Sequence, residues 1–404
     1  MRTPLIQRGA IAAITTLTLV GLAACGSADS STDGKASKST EKTPTSTRVA
    51  VSYEGGIAVL DGETMEVVED LDSEEFTRLS PAGDGRHVMV TVAEGFQVLD
   101  TGAGTTDGEP QMTDMVFKAD TPGHVVTHAG KTVLYADGTS DTTILETESL
   151  DTADGEQPPV ETMPGTEAHH GVSIVLEGGT FLTTVGNADT RSGAIAKDSS
   201  GKTIAQSDQC PGIHGEGTAA DGVVVFGCED GALLYSDGVF KKLQAPDKPY
   251  ARMGNAYVSE TSPLVVGDYK TDPDDEGYLL DAVTVIDTAS DEFEVVDLPA
   301  GVEYTFRDVA RGPDDLAYIL ATDGSIHVLD PETKEITNSF PVVEAWEGPA
   351  DWQDPHPAIK VNGDIAYVTE PAAKAVHAVN LNTGKVLETA SLDAEPNEIA
   401  VAGN

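Results

Sequence analysis

The chain has 404 residues, with 68 Asp and Glu against 24 Lys and Arg, a formal net charge of −44. That balance disfavours nucleic acid and anionic membrane surfaces as partners and favours solubility and cations. Charge alone does not make a metal site, because a solvated acidic surface has the same composition.

Residues 1–24 have the form of a lipoprotein signal peptide. Arg2 and Arg8 give a basic start, Ile11 to Leu22 is apolar, and Leu22-Ala23-Ala24-Cys25 has the form of a lipobox. The apolar run is too short to span a bilayer permanently, which needs about 20 residues. Cys25 is then the lipidated first residue of the mature chain, and contact with the membrane is expected through that lipid only. The expected location is extracytoplasmic, anchored to the cell membrane. Residues 25–47 are mostly Ser, Thr, Lys, Asp and Gly. Such a segment cannot bury enough surface to offset its chain entropy, so it is expected to be a disordered tether.

From residue 48 to 404 short β-branched runs alternate with Gly, Asp and Asn turns, as in Arg48–Tyr53, Ile57–Asp61 and Met65–Glu69. The clearest unit runs from Phe306 to Phe340: strand, Pro313-Asp314-Asp315 turn, Leu316–Leu320, Asp323-Gly324 turn, Ser325–Asp330, then a fourth strand after Pro331-Glu332-Thr333-Lys334. Four antiparallel strands repeated at about 40 to 50 residues signal an all-β fold, a β-propeller. First strands begin near Phe76, His124, His170, Ile213, Arg252, Tyr304 and His356, and an eighth near Asn397. The eighth lacks the other three strands of its blade, which are the orphans at Arg48 to Leu71. A C-terminal strand completing the N-terminal blade removes two sheet edges and closes a ring of eight four-stranded blades. Seven blades is the competing count, since the third and fourth repeats are irregular around Asp151 to Glu167 and Asp189 to Ser200.

Five of the nine histidines fall in strand openings: Gly123-His124, Ala168-His169-His170-Gly171, Cys210-Pro211-Gly212-Ile213-His214-Gly215-Glu216 and Asp354-Pro355-His356-Pro357. In a propeller the first strand of each blade lines the central channel. Counting back from the following turns puts His124, His170, His214 and His356 at a similar height near one mouth. Three or four converging neutral imidazoles make a tetrahedral zinc site. His169 and His170 point to opposite faces if extended, and the spacing favours His170 inward with His169 the alternative. His128 shares the parity of His124 but lies roughly 13 Å further along, so it cannot serve the same ion and is a candidate for a second. Glu216 and Asp354 are carboxylates two residues from a proposed ligand, suited to direct or supporting roles. His327 and His377 hold equivalent third-strand positions and read as packing; His87 follows a turn and reads as exposed. A histidine taken singly at a strand start is more often a hydrogen-bonded structural residue; four at one level shift the balance to metal.

Cys210 and Cys228 lie nearly symmetrically about the Ala219–Gly222 turn, so they should face each other across a hairpin. In an exported chain they are expected as a disulfide that pins the strand carrying His214.

The pieces Ala168-His169-His170-Gly171-Val172, Cys210-Pro211-Gly212-Ile213-His214-Gly215-Glu216 with Phe226-Gly227-Cys228, and Asp354-Pro355-His356-Pro357 resemble those of AztD-type zinc metallochaperones. Asn255-Ala256-Tyr257 and Pro263–Gly267 are similar too. The resemblance covers about Arg48 to Asn404 and implies an exported propeller that binds zinc and hands it to the solute-binding protein of a zinc ABC transporter. It does not imply an enzyme. One departure stands out: residues 26–47 contain no histidine, whereas some relatives carry a histidine-rich N-terminal segment. Two alternatives stay open, a lactonase- or lyase-like propeller enzyme and a non-catalytic interaction propeller with structural histidines. Against the first, no Gly-x-Ser-x-Gly, His-Glu-x-x-His or phosphate loop is present.

Overall fold

A computed structural model of the chain describes residues 47–105, 108–151, 156–246, 249–273 and 278–403. The signal peptide, Cys25 and nearly all of the expected tether lie outside the described residues. The first strand, Thr47–Tyr53, starts one residue before the expected boundary.

The described residues form eight sheets, arranged as the blades of a β-propeller; seven are built on four consecutive antiparallel strands, and the first joins the first three strands to the last. The first blade is closed as the orphan strands require. Ile399–Gly403 pairs with Thr47–Tyr53 in antiparallel register, from Thr47 opposite Gly403 to Val51 opposite Ile399. The eight-blade count holds despite the irregular repeats. In the third blade the fourth strand is only Glu161–Met163, and in the fourth blade the ladder slips twice, at Val185/Gly186 and at Ala196/Lys197.

Local chemistry repeats with the blades. The third strand often ends in Asp or Asn, whose side chain accepts the backbone N–H groups of the next turn. Asp61 accepts from Glu63 and Thr64, Asp287 from Ala289, Asp330 from Glu332, and Asn380 from Thr383. Such side chains mimic a backbone turn and fix the third hairpin. Second and third strands are apolar on both faces, as in Val224–Phe226 and Leu233–Tyr235, because each sheet is packed between two neighbours. The core is accordingly a circle of inter-blade seams rather than one centre. Ala50, Val59, Val88 and Leu99 join the first two blades, Val133, Ile174, Leu182 and Phe226 join the third to fifth, and Val51, Tyr367 and Val376 join the eighth to the first.

His327 and His377 are buried third-strand residues, as their pattern indicates. Nε2 of His327 meets Asp323 at 3.0 Å, and that of His377 meets Glu370 at 2.9 Å. His87 differs from expectation. It is 6% exposed, with Nδ1 2.5 Å from the Asp84 carboxylate. Asp84 also accepts the backbone N–H of His87 at 2.8 Å, so a local turn contact three residues back ties the ring down.

Candidate metal centre

Three of the expected histidines meet. His124, on the first strand of the third blade (Pro122–His128), His170, just before that of the fourth (Ser173–Val175), and His214, which opens that of the fifth (His214–Thr218), hold ligand nitrogens all within 4.8 Å of one another. Their ring centroids lie 4.9–5.3 Å apart. These blades are consecutive, so their inner strands are adjacent around the channel.

The strand carrying His214 is built to present it. Cys210 and Cys228 are bonded, with Cα atoms 5.0 Å apart and both residues fully buried. Closing a loop of this length contributes about 3 kcal/mol in the chain-entropy account. Around the bridge, Cys210 N–H donates to Ser192 O, Gly212 N–H to Arg191 O, and Glu229 N–H to Pro211 O. Just beyond His214 the ladder bulges at Gly215, whose φ is +59°. A Cβ there would stand 2.3 Å from Gly254 O, so only glycine lets this strand come so close to its neighbour. That approach matters, because Gly254 O accepts from Nδ1 of His214 at 2.6 Å.

His170 is oriented in the same way by a carboxylate. Its Nδ1 donates to Oδ2 of Asp137 at 2.6 Å. With both Nδ1 atoms donating, both Nε2 atoms carry lone pairs, and these face each other at 2.9 Å. Two bare lone pairs at that distance repel, so the arrangement calls for a cation between them, a proton or a metal ion. Nitrogen ligands about 2.0–2.1 Å from a tetrahedral zinc are themselves separated by roughly 3.3 Å. Burial, then the neighbouring His214 and His170, holds His124 well below the usual histidine pKa. Burial, then His170, brings His214 to about 3. The two imidazoles are therefore kept neutral, the form that binds metal.

The other proposed residues stand elsewhere. His356 opens the eighth blade, across the channel from the fourth, and the width of an eight-blade ring keeps it from the other three. It packs edge-on to Phe306 and donates from Nδ1 to Asp354 O at 2.7 Å; its buried Nε2 has no hydrogen-bond partner among the described residues. Turn counting placed it at the right height but not on the right wall. His169 points into the seam between blades, where its ring nitrogens meet Thr184, Ser140 and the carbonyl of Glu167 at 2.9 Å. His128 sits at the far end of its strand, opposite Lys131. Glu216 lines the channel beside His124, outside the ligand cluster, with Oε2 buried and without a hydrogen-bond partner among the described residues. Burial pushes its carboxyl up to about 7.

Sequence reading missed Asp137, an acidic residue in an ordinary Asp-Gly turn with no motif around it. Replacing it with Asn is expected to weaken metal binding by about 10–100-fold while leaving the fold intact, because the amide holds the ring less firmly and lowers its basicity. Competition titration of Asp137→Asn checks this; wild-type affinity would mean that the contact does not tune the site.

The three histidines form one wall of a cavity of about 400 Å³, together with Arg78, Arg252, Asn255, Tyr278, Phe306 and Trp352. One side of the cluster is thus open for a further ligand or for exchange of an ion.

Comparison with known proteins follows the same lines. No protein-family model matches the chain. The zinc chaperone AztD of Citrobacter koseri is 26% identical over 325 residues, spanning 78% of this chain and 75% of that protein. Two structures of Citrobacter koseri AztD, one of them the apo form, share the fold at 21% identity. Their TM-scores are 0.72 and 0.73, covering 88% and 89% of this chain and 97% and 98% of theirs. A dihydro-heme d1 dehydrogenase, NirN in complex with DHE, shares the propeller more distantly, with a TM-score of 0.59 and 12% identity over 89% of this chain and 75% of that one. A propeller of this shape therefore serves both a chaperone and an oxidoreductase, and the fold by itself does not choose between them. In sequence over 78% of its length, and in its propeller fold, this chain is similar to the zinc chaperone AztD.

Proposed function

We propose that the protein is an extracytoplasmic zinc metallochaperone that captures zinc at His124, His170 and His214 and passes it to the solute-binding protein of a zinc ABC transporter. The observation that carries the reading is the pair of lone-pair nitrogens of His170 and His214, facing each other at 2.9 Å beside a third imidazole. Similarity to AztD supports zinc as the ion and transfer as the task. The buried disulfide suits an oxidising compartment, and the lipobox at Cys25 would keep the protein at the membrane where a transporter works. Zinc here is cargo, and an open side to the cluster suits an ion that must leave again.

The test is titration of metal-free protein with zinc against a chelator of known affinity, followed by mixing the loaded protein with a zinc-free solute-binding protein. Tight one-to-one binding and loss of zinc to the acceptor, without turnover of lactone or ester substrates, is the expected result. Binding only at millimolar zinc would reject it in favour of structural histidines.

The pH dependence is also set. Protonation competes with zinc, so affinity must fall as pH falls. Ordinary histidines titrate near 6.5, but burial holds His214 at about 3 and His124 well below 6.5. Affinity is therefore expected to hold from pH 8 to 6.5. Below that it should fall less steeply than the third power of proton concentration that three ordinary histidines produce. Competition titrations at pH 8, 6.5 and 5 measure the slope, and a third-power fall would contradict the held-neutral site.

A further inference from the structure

The channel is the opposite of the surface in charge. In a chain with 68 acidic and 24 basic residues, the cavity over the histidines and the one beneath it are lined by Arg78, Arg252, Lys270, Arg307 and Lys360. The acids among them are Asp268, Glu216 and Glu398. Asp268 is turned into the wall, accepting from Gly254 N at 2.5 Å, Asn255 N at 2.9 Å and Asn255 Nδ2 at 2.7 Å. Burial raises the Asp268 carboxyl above its usual range, and Oε2 of Glu216 is buried with no hydrogen-bond partner among the described residues. Glu398 is engaged by Arg307 at 3.0 Å.

Several cations keep donors to spare. Arg78 lies 3.9 Å from Glu398 and 5.8 Å over the Trp352 ring. Among the described residues, Arg252 donates a single side-chain hydrogen bond, from Nη1 to Gly212 O at 3.2 Å. Lys360 makes no hydrogen bond or ion pair among the described residues and lines the cavity next to Glu398. A wall of positive charge beside a cation site is unfavourable unless an anion accompanies the metal.

We propose that the cavity over the three histidines binds zinc together with a small dicarboxylate, held by Arg78 and Arg252 and offering one oxygen to the open side of the metal. This rests on the metal site proposed above. Arginine forks match carboxylates, carboxylate oxygen is a zinc ligand, and Trp352, Phe306 and Leu280 give the carbon spine an apolar wall. About 400 Å³ accommodates such an anion beside the ion. The ring of positive charge also focuses anions into the channel.

The experiment titrates succinate into the zinc-loaded full chain in a non-coordinating buffer by calorimetry, and into the cobalt-loaded chain by visible absorption. The zinc stoichiometry of the same samples is read without succinate. Saturable binding and a shift of the cobalt bands are expected, with Arg252→Gln and Arg78→Gln each weakening succinate by about tenfold or more. Should Arg78→Gln not fold, Arg252→Gln carries the test alone. No succinate binding to loaded wild-type protein overturns the proposal while leaving the metal site standing. So does unchanged succinate binding in Arg252→Gln. Tighter zinc binding by that variant with no effect of succinate also overturns it, showing that the cations only weaken the metal. If inorganic phosphate binds where succinate does not, the carboxylate assignment is wrong. Failure of wild-type protein to bind zinc at all rejects the metal site itself, a result read before succinate is added.

Discussion

His214→Ala is expected to lower zinc affinity by at least about a hundredfold, more than the loss of a carboxylate behind a ligand costs. The imidazole is one of three converging nitrogens, and its strand is held by the Cys210–Cys228 bridge and by the close approach at Gly215. Glu216 and His356 both lie outside the cluster, so neither replaces it. His327→Ala is the control. That ring bonds Asp323 on a third strand, away from the channel, so zinc affinity should stay at the wild-type value. If His124→Ala, His170→Ala and His214→Ala all keep wild-type stoichiometry and affinity, the cluster is not the site, and structural histidines explain the pattern.

Removal of residues 397–404 is expected to cost most of the stability of the propeller. Ile399–Gly403 supplies five paired residues to Thr47–Tyr53, and Ile399, Ala400 and Ala402 are almost wholly buried. Burial of Ile399 contributes about 2 kcal/mol, and the ladder adds about 1 kcal/mol for each net hydrogen bond. Asn397 and Glu398 go too. They bond Arg307 from across 90 residues, with Asn397 Oδ1 2.6 Å from its guanidinium. The loss is on the order of 5 kcal/mol or more, comparable with the whole stability of many domains. It also exposes two sheet edges that can pair with other chains. Denaturant unfolding of the shortened protein should show a much lower midpoint or a broad transition, with a tendency to aggregate. A wild-type midpoint would mean that the ring does not depend on this closure.

Much of the architecture was legible in the chain. Period-two apolar runs with Asp and Gly turns identify four-stranded repeats, and an unpaired final strand beside three orphan strands implies a closed ring. These are local signals, and local pairing dominates an antiparallel blade. The placement of Cys210 and Cys228 about one turn is likewise a property of a hairpin. The histidines were legible as a class, since a residue that is rare elsewhere recurs at strand openings.

What the sequence reading did not decide is which of the channel residues meet. His356 has the opening and the height of a ligand, yet the ring carries it to the opposite side, because position around the ring depends on blade number and not on local motif. His169 and His170 are neighbours in sequence, and only packing against Thr184 and Ser140 assigns His169 to the seam. Asp137 became a partner of His170 from 33 residues away, through a contact between two blades. The inward turn of positive charge is tertiary too. Arg78, Arg252, Arg307 and Lys360 are scattered through the chain, and they meet because closure of the ring brings the inner strands of all blades to one axis.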